Sequence, residues 1–281
     1  MTSDQDSELF SYEPFTRHPF YIEINRTLVQ QALNYLPAAS QGQPIHIVDL
    51  ACGTGMISEL AVQEVARLKR PAQIIALDSS ADALQRAAER LAGAPVTFLQ
   101  SDLTNLTETI KHADLIFFCN AIHLIPEKPA LLTRLFRLLS PGGVLACNTT
   151  FFDGAYVPGT ERCYRLTIRG ALEFLRRNYP GMRPSRQEGG ATMEWLTADG
   201  YIQILEAAGF HLLATTLQQA EMPPEAWQDI ASYSEFIKGA LPGIPLKPGA
   251  LALRAGAERV FQELNVSFVP RSWLQLIARA T

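Results

Sequence analysis

The sequence has no long hydrophobic run, no clustered cysteines and no excess of positive charge, and each lack removes a class of function. Its best apolar stretch, Leu115 to Ile125, is broken by Asn120 and His123. It also falls short of the roughly 18–20 residues that a membrane helix needs. Met1 to Glu8 is polar and acidic, without the basic start and apolar core of an export signal. A cytoplasmic protein with no membrane partner is therefore expected. The four cysteines, Cys52, Cys119, Cys147 and Cys163, form no Cys-x-x-Cys pair and no zinc pattern. They suit reduced core thiols, and no metal site is expected. Lys and Arg number 24 against 28 Asp and Glu, a net charge of −4. Such a chain is not built for wide non-specific binding of nucleic acid.

What is present is ordinary globular composition: 281 residues, 47% hydrophobic and 19% charged. That excludes disorder and collagen-like repeats and suggests one or two domains. Residues 1–9 read as a polar tail. A helical pattern then builds through Leu28, Ala32 and Leu33 to a stop at Leu36-Pro37.

An alternation follows. Strands are expected at Ile45–Leu50, Ala72–Leu77, Val96–Leu99, Ala113–Cys119 and Val144–Thr150. Helices are expected between them at Thr54–Lys69, Ala81–Leu91 and Ala130–Leu139, the last ended by Ser140-Pro141-Gly142-Gly143. Strands alternating with helices imply βαβ units and a mostly parallel sheet, and strands apolar on both faces imply helices on both sides. Further on, a helix near Gly159–Tyr179 leads into a Gly/Arg-rich loop, and a helix over Thr197–Ala208 stops at Gly209. A strand over Phe210–Leu217, two helices within Glu221–Asn265 and a last strand over Ser272–Ala278 complete the pattern. Two helical insertions thus interrupt the closing strands, and long insertions in a compact domain are usually functional lids.

The stretch with most chemistry is Val48-Asp49-Leu50-Ala51-Cys52-Gly53-Thr54-Gly55, which follows a strand and opens a helix. In an open parallel sheet such a turn lies where ligands bind, and its glycines allow sharp turning and close approach. Gly53 and Gly55 supply two positions of a dinucleotide G-x-G-x-x-G, but the third is Ser58, which weakens NAD or FAD as ligand. No Walker phosphate loop is present here.

Asp49-x-Ala51-x-Gly53-x-Gly55 resembles the first motif of class I S-adenosylmethionine-dependent methyltransferases, with Ala51 in place of the usual first glycine. Further matches come in order: Asp78 at the end of the second strand, Ser101-Asp102-Leu103 after the third, Asp114 to Asn120, and Leu139 to Gly143. The resemblance covers about residues 44–150 and the closing strands. It implies a Rossmann-like, seven-stranded, mostly parallel α/β sheet with helices on both faces, plus helical lid insertions. It implies S-adenosylmethionine as cofactor and S-adenosylhomocysteine as product. Cofactor-binding candidates are Asp49, Ala51, Gly53, Gly55, Asp78, Ser79, Asp102, Leu103 and Asn120. Asp78 would take the ribose hydroxyls, since a carboxylate accepts paired donors with charge assistance, and Asp102 an exocyclic amine. Either could instead cap the following helix. Asp49, at an apolar strand end, is expected to accept hydrogen bonds from the Gly53–Gly55 turn or to meet the cofactor's amino-acid end.

Methyl transfer asks the protein mainly to hold an acceptor in line and exclude water. A base is needed only for a protonated acceptor of high pKa, and His123, just past the fourth strand, is the catalytic candidate. A packed pocket-wall histidine is the alternative. Seven arginines lie within residues 162–186: Arg162, Arg165, Arg169, Arg176, Arg177, Arg183 and Arg186. They read either as a solvated helix face or as an anion site for a carboxylate, a diphosphate or an acidic carrier protein. Tyr21, Arg162, Arg165, Trp227 and Tyr233 are the substrate-binding candidates. The Asn-Pro-Pro-Tyr pattern of related nucleic-acid and protein methylases is absent after the fourth strand, where Asn120-Ala121-Ile122-His123 stands.

The expected division is 1–43 helical cap, 44–150 cofactor core, 151–196 first lid, 197–217 core helix and strand, 218–265 second lid, and 266–281 final strand. The expected function is methylation of a small lipophilic or anionic metabolite, free or carried on a protein, with no nucleic acid and a monomeric or dimeric state. The alternatives are a cofactor-dependent cyclase or isomerase and a non-catalytic accessory protein, because fold alone does not fix function.

Overall fold

The computed structural model describes residues 10–37, 43–103, 106, 110–185 and 195–281. The expected tail at residues 1–9, Arg186 and most of the Gly/Arg-rich loop lie outside these. Two compact units emerge. The sheet unit comprises Glu23–Ala155, Glu194–Gln218 and Trp273–Thr281; the helical unit comprises Met1–Ile22, Tyr156–Met193 and Gln219–Ser272.

Seven strands form one sheet: β1 Ile45–Leu50, β2 Ala72–Asp78, β3 Val96–Gln100, β4 Ala113–Cys119, β5 Leu139–Thr149, β6 Phe210–Met222 and β7 Val269–Ala280. Their order is β3-β2-β1-β4-β5-β7-β6. β1 pairs in parallel with β2 and β4, β2 with β3, and β4 with β5, while β5 and β7 are antiparallel. Strand order reverses direction at β1, between β2 and β4, so the turn after β1 opens at a topological switch point. β1 and β4 have the bounds read from their apolar runs. β5 starts five residues before the expected Val144, at Leu139. The Pro-Gly-Gly that reads as a loop is carried inside the strand by a register shift opposite Ala113–Leu115, with Gly142 at φ +79°. Bulges of this kind let a strand absorb residues that break a regular ladder.

In the sheet unit, α2 Pro19–Tyr35, α3 Met56–Arg67, α4 Ala81–Arg90, α5 Lys128–Leu138 and α7 Ala198–Ala207 accompany the strands, with α2 beginning in the other unit's segment. The core runs through Val48, Leu50, Ile116, Phe118, Leu132, Leu135, Leu145 and Leu274, all nearly inaccessible. Each such side chain contributes about 1.5–3 kcal/mol by leaving water.

The helical unit contains α1 Glu13–Thr16, α6 Glu161–Asn178, α8 Pro224–Ile230, α9 Ser234–Ala240 and α10 Leu246–Leu264. Glu221–Asn265 thus holds three helices, not two. Pro248 sits in the first turn of the last one, where a missing N–H costs nothing. The unit has its own core of Phe10, Ala171, Leu175, Ile237, Leu241 and Leu253. α6 and α10 cross with glycine against glycine: a Cβ on Gly256 would lie 2.0 Å from the Thr167 carbonyl oxygen, and one on Gly170 would lie 2.8 Å from Gly256 Cα. The buried face of α6 is Cys163, Thr167, Gly170, Ala171 and Leu175, and its arginines at 162, 165, 169 and 176 are exposed.

Candidate cofactor and acceptor sites

The turn after β1 is held from both sides. Cys52 N–H donates to the Leu77 carbonyl (3.0 Å) and Gly55 N–H to the Cys52 carbonyl (2.9 Å). Ala51, Gly53 and Gly55 have φ of +53°, +53° and +81°. A Cβ on Gly53 would meet nothing within 4 Å, leaving open space beside the turn. One on Gly55 would lie 3.0 Å from Ala87 Cβ and 3.1 Å from Leu91, so Gly55 permits α3 to pack on α4.

Asp78 ends β2 and grips this turn: its Oδ2 accepts from Gly53 N–H (2.8 Å) and its Oδ1 from Ser80 N–H (2.9 Å). Ser80, not Asp78, caps α4, accepting from Ala83 N–H at 3.2 Å. The amide bond expected on Asp49 therefore goes to Asp78. Asp49, 1% exposed, accepts from the Ser58 hydroxyl at 2.7 Å. Burial pushes its carboxyl up to about 7 against the pull of Ser58, and the charge of Asp78 adds to the rise. Ser58 thus fills the third-glycine position of a dinucleotide loop with a hydroxyl committed to a buried acid.

After β3, Ser101 N–H donates to the Asp78 carbonyl (3.1 Å), Asp102 is exposed, and the Leu103 carbonyl accepts from Arg134 (3.3 Å). Ser79 gives its carbonyl to the Gln100 side chain (3.2 Å). At the end of β4, Asn120 takes φ +53°. Its N–H reaches the Asn148 carbonyl (2.9 Å) and Oδ1 (3.1 Å), and its Oδ1 accepts from Trp273 Nε1 (3.2 Å). Asn148 in turn donates to Asn25 at 2.9 Å. Asp49, Ala51, Gly53, Asp78 and Asn120 therefore all stand at the carboxyl ends of neighbouring strands β1, β2 and β4.

This stretch is what the comparisons with known proteins pick out. A family model described as a methyltransferase domain matches residues 47–143. Residues 47–143 are a class I S-adenosylmethionine-dependent methyltransferase domain. A trans-aconitate 2-methyltransferase of Acidovorax sp. (strain JS42) is 37% identical over 115 residues, 41% of this chain and 42% of that protein. One of Deinococcus radiodurans is 40% identical over 166 residues, 58% of this chain and 57% of that protein. The chain thus spans between about two-fifths and three-fifths of the length of these curated relatives. A structure of Haemonchus contortus phosphoethanolamine N-methyltransferase 2, with phosphomonomethylethanolamine and S-adenosylhomocysteine, matches at TM-score 0.53 and 17% identity. It covers 99% of this chain and 58% of that one, and at this identity it speaks for the fold alone.

Within the methyltransferase domain, His123 lies in a short 3₁₀ turn, Ile122–Leu124, after β4. It is 4% exposed and stacks on Phe151 with ring centroids 4.3 Å apart. Its Nδ1 is 3.1 Å from the Thr149 hydroxyl, which accepts from Phe151 N–H at 2.9 Å.

The substrate candidates divide. Tyr21 and Tyr233 belong to one aromatic group of the helical unit and Trp227 to another; Tyr21 and Trp227 are buried and Tyr233 is half-buried. Tyr12 lies 5.8 Å from Tyr21 and 5.0 Å from Tyr233 by ring centroids, and Tyr164 lies 5.0 Å from Trp227 and 4.0 Å from Tyr156. Arg162 and Arg165 are exposed on α6, and Arg165 lines a cavity of about 840 Å³ with Arg169, Arg176 and Arg183. The residue that sequence reasoning passed over is Arg271. It is 6% exposed, donates to the Tyr164 hydroxyl at 3.0 Å, and sits 5.2 Å and 5.4 Å from the Tyr156 and Tyr164 ring centres. Its only sequence signal was a charge just before the expected last strand, Ser272–Ala278.

Proposed function

We propose that the protein is an S-adenosylmethionine-dependent methyltransferase of small metabolites. The observation that carries this reading is the turn after β1: three left-handed positions, open space over Gly53, and the Gly53 amide locked to Asp78. Its donors and acceptors suit the cofactor. Each Asp78 oxygen accepts one amide and keeps a lone pair for a ribose hydroxyl. Asp49 meets the amino-acid end, Asp102 an exocyclic amine, and Ala51, Gly55, Ser79, Leu103 and Asn120 line the backbone. The cofactor's sulfonium supplies an activated methyl group. The protein's own task is to orient the acceptor and keep water out. Within the helical unit, the candidates for holding a small acid are Tyr21, Trp227 and Tyr233, which offer apolar faces and hydroxyls, and Arg162 and Arg165, which offer positive charge.

The relatives' name makes a carboxylate the first acceptor to try. A carboxylate is ionised at neutral pH and needs no base for methylation. His123 is the base for an acceptor that arrives protonated.

Calorimetric titration with S-adenosylhomocysteine tests the cofactor half. Asp78→Ala should weaken binding at least tenfold, and Asp102→Ala should weaken it without disturbing the turn. Absence of binding by the unaltered protein would refute the reading. Incubation with S-adenosylmethionine and trans-aconitate tests the chemistry, since a methylated product gains one CH₂ in mass and a rearranged one gains nothing.

A further inference from the structure

The cavity of about 840 Å³ on α6 is lined by two adjacent rows of that helix's side chains. Arg165, Arg169 and Arg176 make one row, and Ile168, Leu172 and Leu175 the other, as the helical repeat requires. Met182 and Arg183, just past the helix end, add one apolar and one positive side chain to the lining. The surface lies wholly within the helical unit. Leu172 and Met182 are apolar, yet 37% and 36% exposed. Among the described residues, Glu173 is the one acid of the lining, and both its oxygens are taken: Oε1 by Arg169 at 3.1 Å and Oε2 by Arg259 at 2.5 Å. Arg165, Arg176 and Arg183 make no ion pair among the described residues. An acidic chain, of net charge −4, thus gathers unneutralised arginines along an uncovered apolar row.

The spacing of the charges selects the kind of occupant. Arg165 and Arg176 stand eleven residues apart on one helix, about 16 Å along its axis. A single carboxylate or phosphate group cannot bridge that span. A second helix laid along α6 can, because acids on one of its faces recur at the same three-turn spacing while a neighbouring row of apolar residues covers Leu172 and Met182. Arginine forks pair with carboxylates, and Arg, Tyr and Met are the residues enriched where proteins meet; Tyr164 completes that set here. We propose that this groove docks an acidic amphipathic helix of a partner protein, with its apolar row on Ile168, Leu172 and Met182 and its carboxylates on Arg165, Arg176 and Arg183. The proposal does not rest on the methyl-transfer reading.

The test uses the full-length protein and a fluorescent synthetic helix with Leu at i, i+4, i+7 and i+11 and Glu on both flanks. A scrambled peptide of the same composition and a peptide with Lys for every Glu are the controls. Fluorescence anisotropy should show the acidic helix binding at least tenfold more tightly than either control, and more weakly as salt rises. The double variant Arg165→Glu, Arg176→Glu should lose at least tenfold and should now prefer the Lys peptide. Leu172→Asn should weaken binding at both charge signs, whereas Arg177→Gln, on α6 but outside this lining, should change nothing. All four positions are exposed, so melting temperatures should stay within a degree or two of the unaltered protein. If the charge reversal does lower the melting temperature, Arg165→Gln with Arg176→Gln should still show the loss of affinity. No binding, equal binding of the scrambled peptide, or binding indifferent to the arginine variants overturns the proposal. So does displacement of the peptide by trans-aconitate at constant ionic strength, which would give the groove to a small acid. So does a dimer of the protein alone that sediments as monomer after the charge reversal, which would give it to a second copy.

Discussion

Gly256→Ala sets two known effects against each other, and the geometry says which wins. In an exposed helix, alanine for glycine stabilises by about 1 kcal/mol. At Gly256 the added methyl would lie 2.0 Å from the Thr167 carbonyl oxygen and 2.9 Å from the Ala171 nitrogen. Both obstacles are backbone, so no side chain can swing away. α6 and α10 must separate by about 1 Å to restore ordinary contact, and overpacking of that kind costs about 1–3 kcal/mol or more. Because the clash is with main chain, the upper part of that range applies, and the net expectation is a loss of about 2 kcal/mol. Gly239→Ala in α9 is the control, since its Cβ meets nothing within 4 Å and should stabilise slightly. Hydrogen exchange of the α6 and α10 amides, read with urea unfolding, would show faster exchange in Gly256→Ala alone. A stabilised Gly256→Ala would refute the reasoning, because the helices could then not be in backbone contact there. Gly170→Ala should behave alike, and the double variant should cost less than the sum, since one separation relieves both clashes.

Asp49 makes stability depend on pH. Its folded value near 7 lies above the unfolded value of about 3.9, so its contribution is complete below pH 4 and is lost as pH rises through 7. Asp49→Asn should abolish that slope and gain on the unaltered protein by up to about 4 kcal/mol between pH 4 and 8; parallel urea curves at the two pH values would contradict the buried acid. At pH 6, S-adenosylhomocysteine should release a proton on binding if its ammonium meets Asp49, which calorimetry in two buffers of different ionisation heat detects. Ala51→Gly should stabilise by about 0.5–1 kcal/mol: a left-handed alanine costs about 1–2 kcal/mol, from which glycine's extra chain entropy is subtracted. A lower urea midpoint would show that the methyl of Ala51 makes a packing contact worth more than the strain. Asp78→Asn should lower stability as well as affinity, because an amide nitrogen would face one of the N–H groups of Gly53 and Ser80.

The parts of the fold that were legible were those set by local pattern. β1 and β4 are mostly apolar runs, so their bounds could be read directly. β5 was legible only from Val144, because what keeps Pro141-Gly142-Gly143 in the sheet is pairing with β4, which no local window contains. The cofactor turn was recognisable from its glycines, yet the partners were exchanged: whether the Gly53 amide meets Asp49 or Asp78 depends on how β1 and β2 end side by side. The arginines of α6 drew attention by number and proved exposed. Arg271, a single charge next to Pro270, gave little signal, since its surroundings come from Tyr156 and Tyr164, more than a hundred residues earlier.

The strand order also has a consequence for the growing chain. β6 ends at Met222, and the strand beside it, β7, begins at Val269. At a ribosomal pace of about 5–20 residues per second, β6 waits for several seconds before its neighbour exists. Throughout that interval its amides and carbonyls stand open to any other extended segment, the hazard of every edge strand. Slowed translation between residues 222 and 269, or loss of chaperone cover there, should therefore show itself as aggregation of nascent chains rather than as an unstable finished protein.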